Sequence, residues 1–182
     1  MARFDLLNVD GSPKLDKDGR PAKKFRPITF CSGPSGRREW RQKSLPDPRP
    51  LYNLGHLVLR PDQPVLVVEG EKTADAAAGL FPEHVVTTSM GGAGSAATAD
   101  WTALADRDVV IWPDNDERGA AYAAAVRERL IAAGARSVRV IALPEALPPK
   151  WDLADACPAG IEFNDLAALV GTARAVSESA VT

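Results

Sequence analysis

The sequence predicts an α/β domain on a parallel four-stranded sheet with flanking helices, preceded by a small β-rich N-terminal subdomain. Three observations carry this expectation. From residue 65 onward, short apolar runs alternate with stretches of helical length, the order a parallel sheet with crossover helices requires. Val65-Leu66-Val67-Val68 is continuously apolar rather than alternating, as befits a strand buried on both faces. The first 50 residues instead interleave short segments with the turn clusters Asp10-Gly11, Asp16-Lys17-Asp18-Gly19 and Gly33-Pro34-Ser35-Gly36.

Taken in order, Phe4 to Val9 alternates before the first turn. Phe25-Arg26-Pro27-Ile28-Thr29-Phe30 follows the second, and Arg37-Arg38-Glu39-Trp40-Arg41 the third. Together they predict an antiparallel meander, with the Pro27 strand confined to an edge because proline donates nothing to a ladder. Pro46, Pro48, Pro50, Pro61 and Pro64 predict an extended connector with a short helical turn near Leu54–Leu59. The boundaries that follow are a head at 1–50, a connector at 51–64, a catalytic-type domain at 65–170 and a disordered tail at 171–182.

Within the body, Glu71 to Leu80 is alanine-rich and helical, and His84 to Thr88 is a second strand leading to the loop Met90-Gly91-Gly92-Ala93-Gly94. A short helix around Ala97–Leu104 precedes a third strand, Val109 to Trp112. A long helix spans Arg118 to Gly134, a fourth strand Val138 to Ala142, and a last helix Ile161 to Val170.

Composition narrows the classes. At 182 residues, 45% hydrophobic and 25% charged, the chain can bury a core and suits one domain with an appendage. The apolar run Ala120–Val126 is far shorter than the ~20 residues that span a bilayer. With no signal-like start, a cytoplasmic protein without membrane contact is expected. Cys31 and Cys157 cannot build a four-cysteine zinc site, and His56 and His84 do not stand at finger spacing with them. Charge is divided: residues 1–60 carry a net +7 and residues 61–182 a net −9. A basic head can meet phosphates while an acidic body gathers carboxylates around a cation.

Ligands of parallel sheets bind beyond the carboxyl ends of the strands. There the first body strand ends in Glu69-Gly70-Glu71-Lys72 and the third in Pro113-Asp114-Asn115-Asp116-Glu117-Arg118-Gly119. After the fourth comes Lys150-Trp151-Asp152-Leu153-Ala154-Asp155. Carboxylates from three stretches at one rim resist ionisation together, and a hard divalent cation resolves the conflict. Leaving the strand in extended form, Asp114 and Asp116 would project to the same side and share one ion. An isolated Asp-x-Asp is ordinarily a solvated loop; its conjunction with Glu69 is what points to chemistry.

Val67-Val68-Glu69-Gly70-Glu71-Lys72, with Asp114-Asn115-Asp116 forty-five residues beyond Glu69, resembles the Toprim signature. Toprim domains occur in primases, topoisomerases, overcoming-lysogenization-defect nucleases and recombination mediators. Glu-Gly-Glu-Lys with Trp-Asp-Leu-Ala-Asp looks most like the primases and primase-helicases of phages and mobile elements. The resemblance covers about Val65 to Asp155, and implies a Toprim-like Rossmannoid fold and magnesium, or manganese, as cofactor. It also implies roles: Glu69 as general base in polymerising members or general acid in cleaving ones and as a neighbour of the metal, Asp114 and Asp116 as metal-binding pair, and Asp152, with Asp155, as a further acidic motif whose Asp152 joins the metal set. Many primases carry an aspartate where this chain has Thr73, and Asp75 lies two residues on, which leaves a second metal in question. Single-stranded DNA template and ribonucleotides are the implied substrates. A zinc-binding module or a helicase, neither encoded here, would be the implied partners.

Other readings remain. Gly92-Ala93-Gly94-Ser95-Ala96-Ala97 fits the dinucleotide pattern G-x-G-x-x-A, with Asp114 near the ribose-binding position. Alternatively, the amides at Gly92 and Gly94 hold a phosphate beside the metal. Lys72 is a phosphate contact or a solvated lysine. Lys24, Arg26, Arg38 and Arg41 interleave with Phe25, Phe30 and Trp40, the recipe for single-strand binding; the plainer reading is a solvated hairpin with Phe25 and Trp40 packed inward. A metal-dependent nuclease and a non-catalytic nucleic-acid-binding module are the competing functions.

Overall fold

A computed structural model describes residues 2–15, 19, 21–33 and 35–172, without the side chains of 2–5, 23–26, 93 and 172. The chain divides into two compact units, Met1–Pro46 and Asp47–Thr182.

In the first unit β1 (Ala2–Asp5) pairs antiparallel with β2 (Lys23–Arg26), and β3 (Thr29–Ser32) with β4 (Arg38–Arg41). These are two separate two-stranded sheets rather than one meander. The break falls at Pro27, which follows β2 directly and has no N–H to extend a ladder. The first strand also ends earlier than its alternation predicted; Leu7 and Pro13 form only an isolated bridge around the Asp10-Gly11 turn. Asp16 to Asp18 of the second turn cluster lie outside the described residues.

In the second unit the proline-rich stretch is not solvated spacer throughout. Leu51 and Leu57 are 2% exposed, the latter on α1 (Leu54–Leu59). Arg107, also buried, donates to the carbonyls of Leu57, Arg60 and Gln63, and so ties this stretch to the sheet.

The body elements are β5 (Val65–Val67), α2 (Glu71–Leu80), β6 (Val85–Thr87), β7 (Asp108–Ile111), α3 (Glu117–Ala132), β8 (Ser137–Val140) and α4 (Phe163–Thr172). The four strands are parallel in the order β6-β5-β7-β8, with Val67 in register with both Thr87 and Ile111. The expected α/β class is therefore the observed one. Period-two side chains of β5 serve two cores: Val65 and Val67 face a cluster with Val109, Ile111, Val126 and Leu130, whereas Leu66 and Val68 face Ala74, Ala77, Trp112, Leu166 and Val170. All four β5-run residues are 0% exposed, worth roughly 1.5–3 kcal/mol each.

The expected helix around Ala97–Leu104 is instead two 3₁₀ segments, Ala93–Thr98 and Trp101–Leu104. Ala99 between them bridges to Arg49, and the Asp100 side chain caps the second segment by accepting from Thr102 N–H. Gly171 and Thr172 continue α4, and the rest of the expected tail, 173–182, lies outside the described residues. Among the described residues no helix is long and apolar enough to cross a membrane.

The strand order sets the site. From β5 the chain adds β6 on one side, then crosses to add β7 on the other, so the carboxyl ends of β5 and β7 lie adjacent where the connections part. Such a switch point opens a crevice for ligands.

Candidate functional site

Glu69 leaves β5 one residue after buried Val68, and Gly70, in extended conformation, then starts α2. Asp114 leaves β7 after buried Trp112. The segment is not simply extended there: Asp116 N–H donates to the Asp114 carbonyl at 2.8 Å, closing a three-residue turn. Asp116 then caps α3, one carboxylate oxygen accepting from Gly119 N–H at 2.8 Å. Backbone turning, rather than strand alternation, thus orients the pair.

Asp152 lies between Trp151 and Leu153, 5% and 3% exposed, whose burial fixes where its carboxylate emerges. It accepts from Ala154 N–H, while Asp155 accepts from Asp152 N–H. The β7 loop is stapled to this segment by Asn115, whose side-chain amide donates to the carbonyls of Leu147 (2.8 Å) and Pro148 (2.9 Å). Its backbone adds Asn115 N–H to Trp151 and Lys150 N–H to Asn115. Asn115 thereby ties the segment that carries Asp152 to the β7 loop.

The electrostatics are those of crowded acids. Burial, then the Glu69, Asp152, Asp116 and Asp155 carboxylates, push Asp114 from 3.8 up to about 7. Burial, then Asp116 and Asp152, also hold Glu69 above the usual carboxylate range, with Arg118 in the first turn of α3 opposing. Glu69 Oε2 is buried with no hydrogen-bond partner. Glu69, Asp114, Asp116 and Asp152 take part in no ion pair among the described residues. Asp155 meets Lys72 Nζ at 3.9 Å. Nor, among the described residues, do three or more His, Cys, Asp or Glu side chains converge into a ready-made metal cage. The acids are near enough to perturb one another's ionisation without converging on one point.

The donor chemistry is that of a hard divalent cation, since the set is all oxygen, one oxygen is orphaned, and burial with neighbouring carboxylates holds one carboxyl near neutrality, although the side chains do not converge as they stand. Asp75, the possible substitute beyond Thr73, instead accepts from Tyr52 OH at 2.8 Å.

Two further residues build the rim and were not assigned roles from sequence. A Cβ on Gly119 would lie 2.7 Å from Asp114 N, so only glycine lets α3 approach the acidic loop this closely. The signal was present, a glycine three residues after a capping aspartate. Glu71 accepts from Gly91 N–H at 2.9 Å and holds the glycine loop against α2; nothing in its sequence position marks that contact.

Gly92 caps and Gly94 lies within a 3₁₀ segment, not at the amino end of the α-helix that the dinucleotide motif requires. The dinucleotide reading loses its structural context. The Lys72 side chain is 73% exposed, and its pairing with Asp155 is worth little at such exposure.

In the first unit, Arg38 and Trp40 share one face of β4, whereas Arg41 lies on the other and pairs with Glu39. Strand alternation therefore places Arg38 beside Trp40 and Arg41 away from it. Trp40 is 70% exposed, so it is not packed inward. The side chains of Lys24, Phe25 and Arg26 lie outside the described residues.

No family model matches the chain, and no curated protein does. Among solved structures, the DnaG catalytic core is similar at 21% identity and a TM-score of 0.41, over 76% of this chain. The chain spans 46% of that structure's length.

Proposed function

We propose that the second unit is a Toprim-like domain performing magnesium-dependent phosphodiester chemistry on nucleic acid, with primer synthesis of the DNA-primase kind as its reaction. The observation that carries this reading is Asp114, raised to about 7 by burial and by the carboxylates of Glu69, Asp152, Asp116 and Asp155, which come from the segments that follow β5, β7 and β8. Structural ion pairs would neutralise such a group; none does so here among the described residues.

Asp114 and Asp116 would hold the magnesium, with Asp152 as a further oxygen donor. Manganese would substitute. When bound, the ion supplies charge neutralisation for phosphate oxygens. Glu69 accepts the proton of an attacking 3′-hydroxyl at its carboxylate, and burial raises its proton affinity above that of an ordinary carboxylate. Asn115 and Gly119 position the acids. Single-stranded DNA and ribonucleotides are the proposed substrates, and a helicase or zinc-binding module in another chain or domain the proposed partner.

The same raised Glu69 favours a second reading. A carboxyl that keeps its proton nearer neutrality can act as general acid to a leaving oxygen, which is nuclease chemistry. One experiment separates them: magnesium or manganese, labelled ribonucleotides and single-stranded DNA, read for both extension and cleavage. Extension lost in Asp114→Asn and Glu69→Gln supports the first; nicking without nucleotides supports the second. Nucleic-acid binding unchanged in both variants, with no turnover in the native chain, leaves a binding module.

A further inference from the structure

We infer that the exposed face of the β3–β4 hairpin is a stacking platform for unpaired bases of a single-stranded nucleic acid, with Phe30 and Trp40 as its rings and Arg38 as its phosphate contact. This deepens the nucleic-acid reading above by naming the strand form, but its geometry is independent of the acidic rim.

Phe30 and Trp40 are direct cross-strand partners, and Ser32 and Arg38 are the next pair on that face. The two rings lie 5.1 Å apart at 50°, yet Phe30 remains 51% and Trp40 70% exposed. A cross-strand aromatic pair does stabilise a hairpin. That role alone is served by ring-on-ring contact and leaves unexplained why so much ring surface faces water rather than apolar neighbours.

The surroundings select the occupant. Residues 29–43 carry Arg37, Arg38, Arg41 and Lys43 against Glu39 alone, and Glu39 is taken by Arg41 on the opposite face. Rings flanked by cations suit a polyanion that carries flat π-faces. Two copies of the same face would set like charges against each other. Duplex bases are already stacked, so only an unpaired strand can offer them to a ring.

Trp40 also provides its own probe. Of the four tryptophans, Trp101, Trp112 and Trp151 are 4%, 1% and 5% exposed, so long-wavelength emission and quenching by aqueous iodide report on Trp40. The full chain is titrated with oligothymidylate long enough to fill a single-strand site of roughly 4–16 nucleotides. An abasic oligomer and a duplex of equal length are the controls.

The expected result is quenching of the exposed component by oligothymidylate, with much weaker effects from both controls. By anisotropy, Trp40→Ala should weaken binding roughly 5- to 150-fold. Trp40→Phe keeps a ring opposite Phe30 and should stay close to native, which separates stacking from hairpin collapse. Arg38→Ala should reduce the salt slope by about 0.7. Equal response to the abasic chain or the duplex overturns the proposal, as does an unresponsive Trp40, or quenching that follows protein concentration and so reports self-association. Magnesium-dependent turnover with a silent Trp40 would remove this platform and leave the catalytic reading standing.

Discussion

Replacing Asp114 by asparagine removes the most perturbed charge of the rim while nearly keeping its shape. Asp114 ionises near 7 in the folded chain against 3.8 ordinarily. Between these values the folded state holds a proton that the unfolded chain has released. Stability therefore falls as pH rises through about 4 to 7, and the full cost is present above pH 7. A shift of about three units at 1.36 kcal/mol each bounds that cost near 4 kcal/mol; because solvent reaches the half-buried carboxyl, screening reduces it to about 1–2 kcal/mol. With chelator present, Asp114→Asn should match the native chain's pH trend below about pH 3.5 and gain relative to it by roughly 2–8 °C in Tm by pH 8. The assay is a series of thermal melts on both proteins. Comparing the pair cancels His84, whose lowered ionisation gives the opposite slope, stability increasing with pH. A difference between the two proteins that does not change with pH, or that shrinks toward pH 8, would refute the assignment of burial and carboxylate crowding to Asp114.

Gly119→Ala should destabilise by roughly 1–3 kcal/mol in chemical denaturation, because the new Cβ strikes the Asp114 backbone; a gain, as for an ordinary helical glycine, would refute that contact. Asn115→Ala loses two side-chain hydrogen bonds and should cost about 1–3 kcal/mol, while abolishing any magnesium-induced rise in Tm that depends on Asp152. Arg107→Met should cost roughly 2–4 kcal/mol, since it leaves the carbonyls of Leu57, Arg60 and Gln63 without their shared donor. Hydrogen exchange should then show α1 opening before the sheet.

How much of this was legible in the sequence depends on how local the signal is. β5 and α2 were readable because an unbroken apolar run and an alanine-rich stretch each carry their own period. The two cores they feed follow from period two alone. The separation of the head into two sheets was obscured because Pro27 acts by removing one donor, and a meander and two hairpins share the same turn residues. Glu69, Asp114 and Asp152 could be placed at one rim from strand ends, before their coupling was known. Asn115 could not, since its partners are backbone carbonyls more than thirty residues away, and carbonyls leave no mark in a sequence. The Asp114–Asp116 pair was placed by strand alternation, whereas a tight turn and a helix cap orient it.

Anomalous scattering from crystals soaked in manganese puts the central claim to its most direct trial. The account predicts a peak between the carboxylates of Asp114 and Asp116, on the side of Asp152, and absent in Asp114→Asn. A peak elsewhere, or these carboxylates closed upon arginine or lysine side chains with no ion between them, would contradict it.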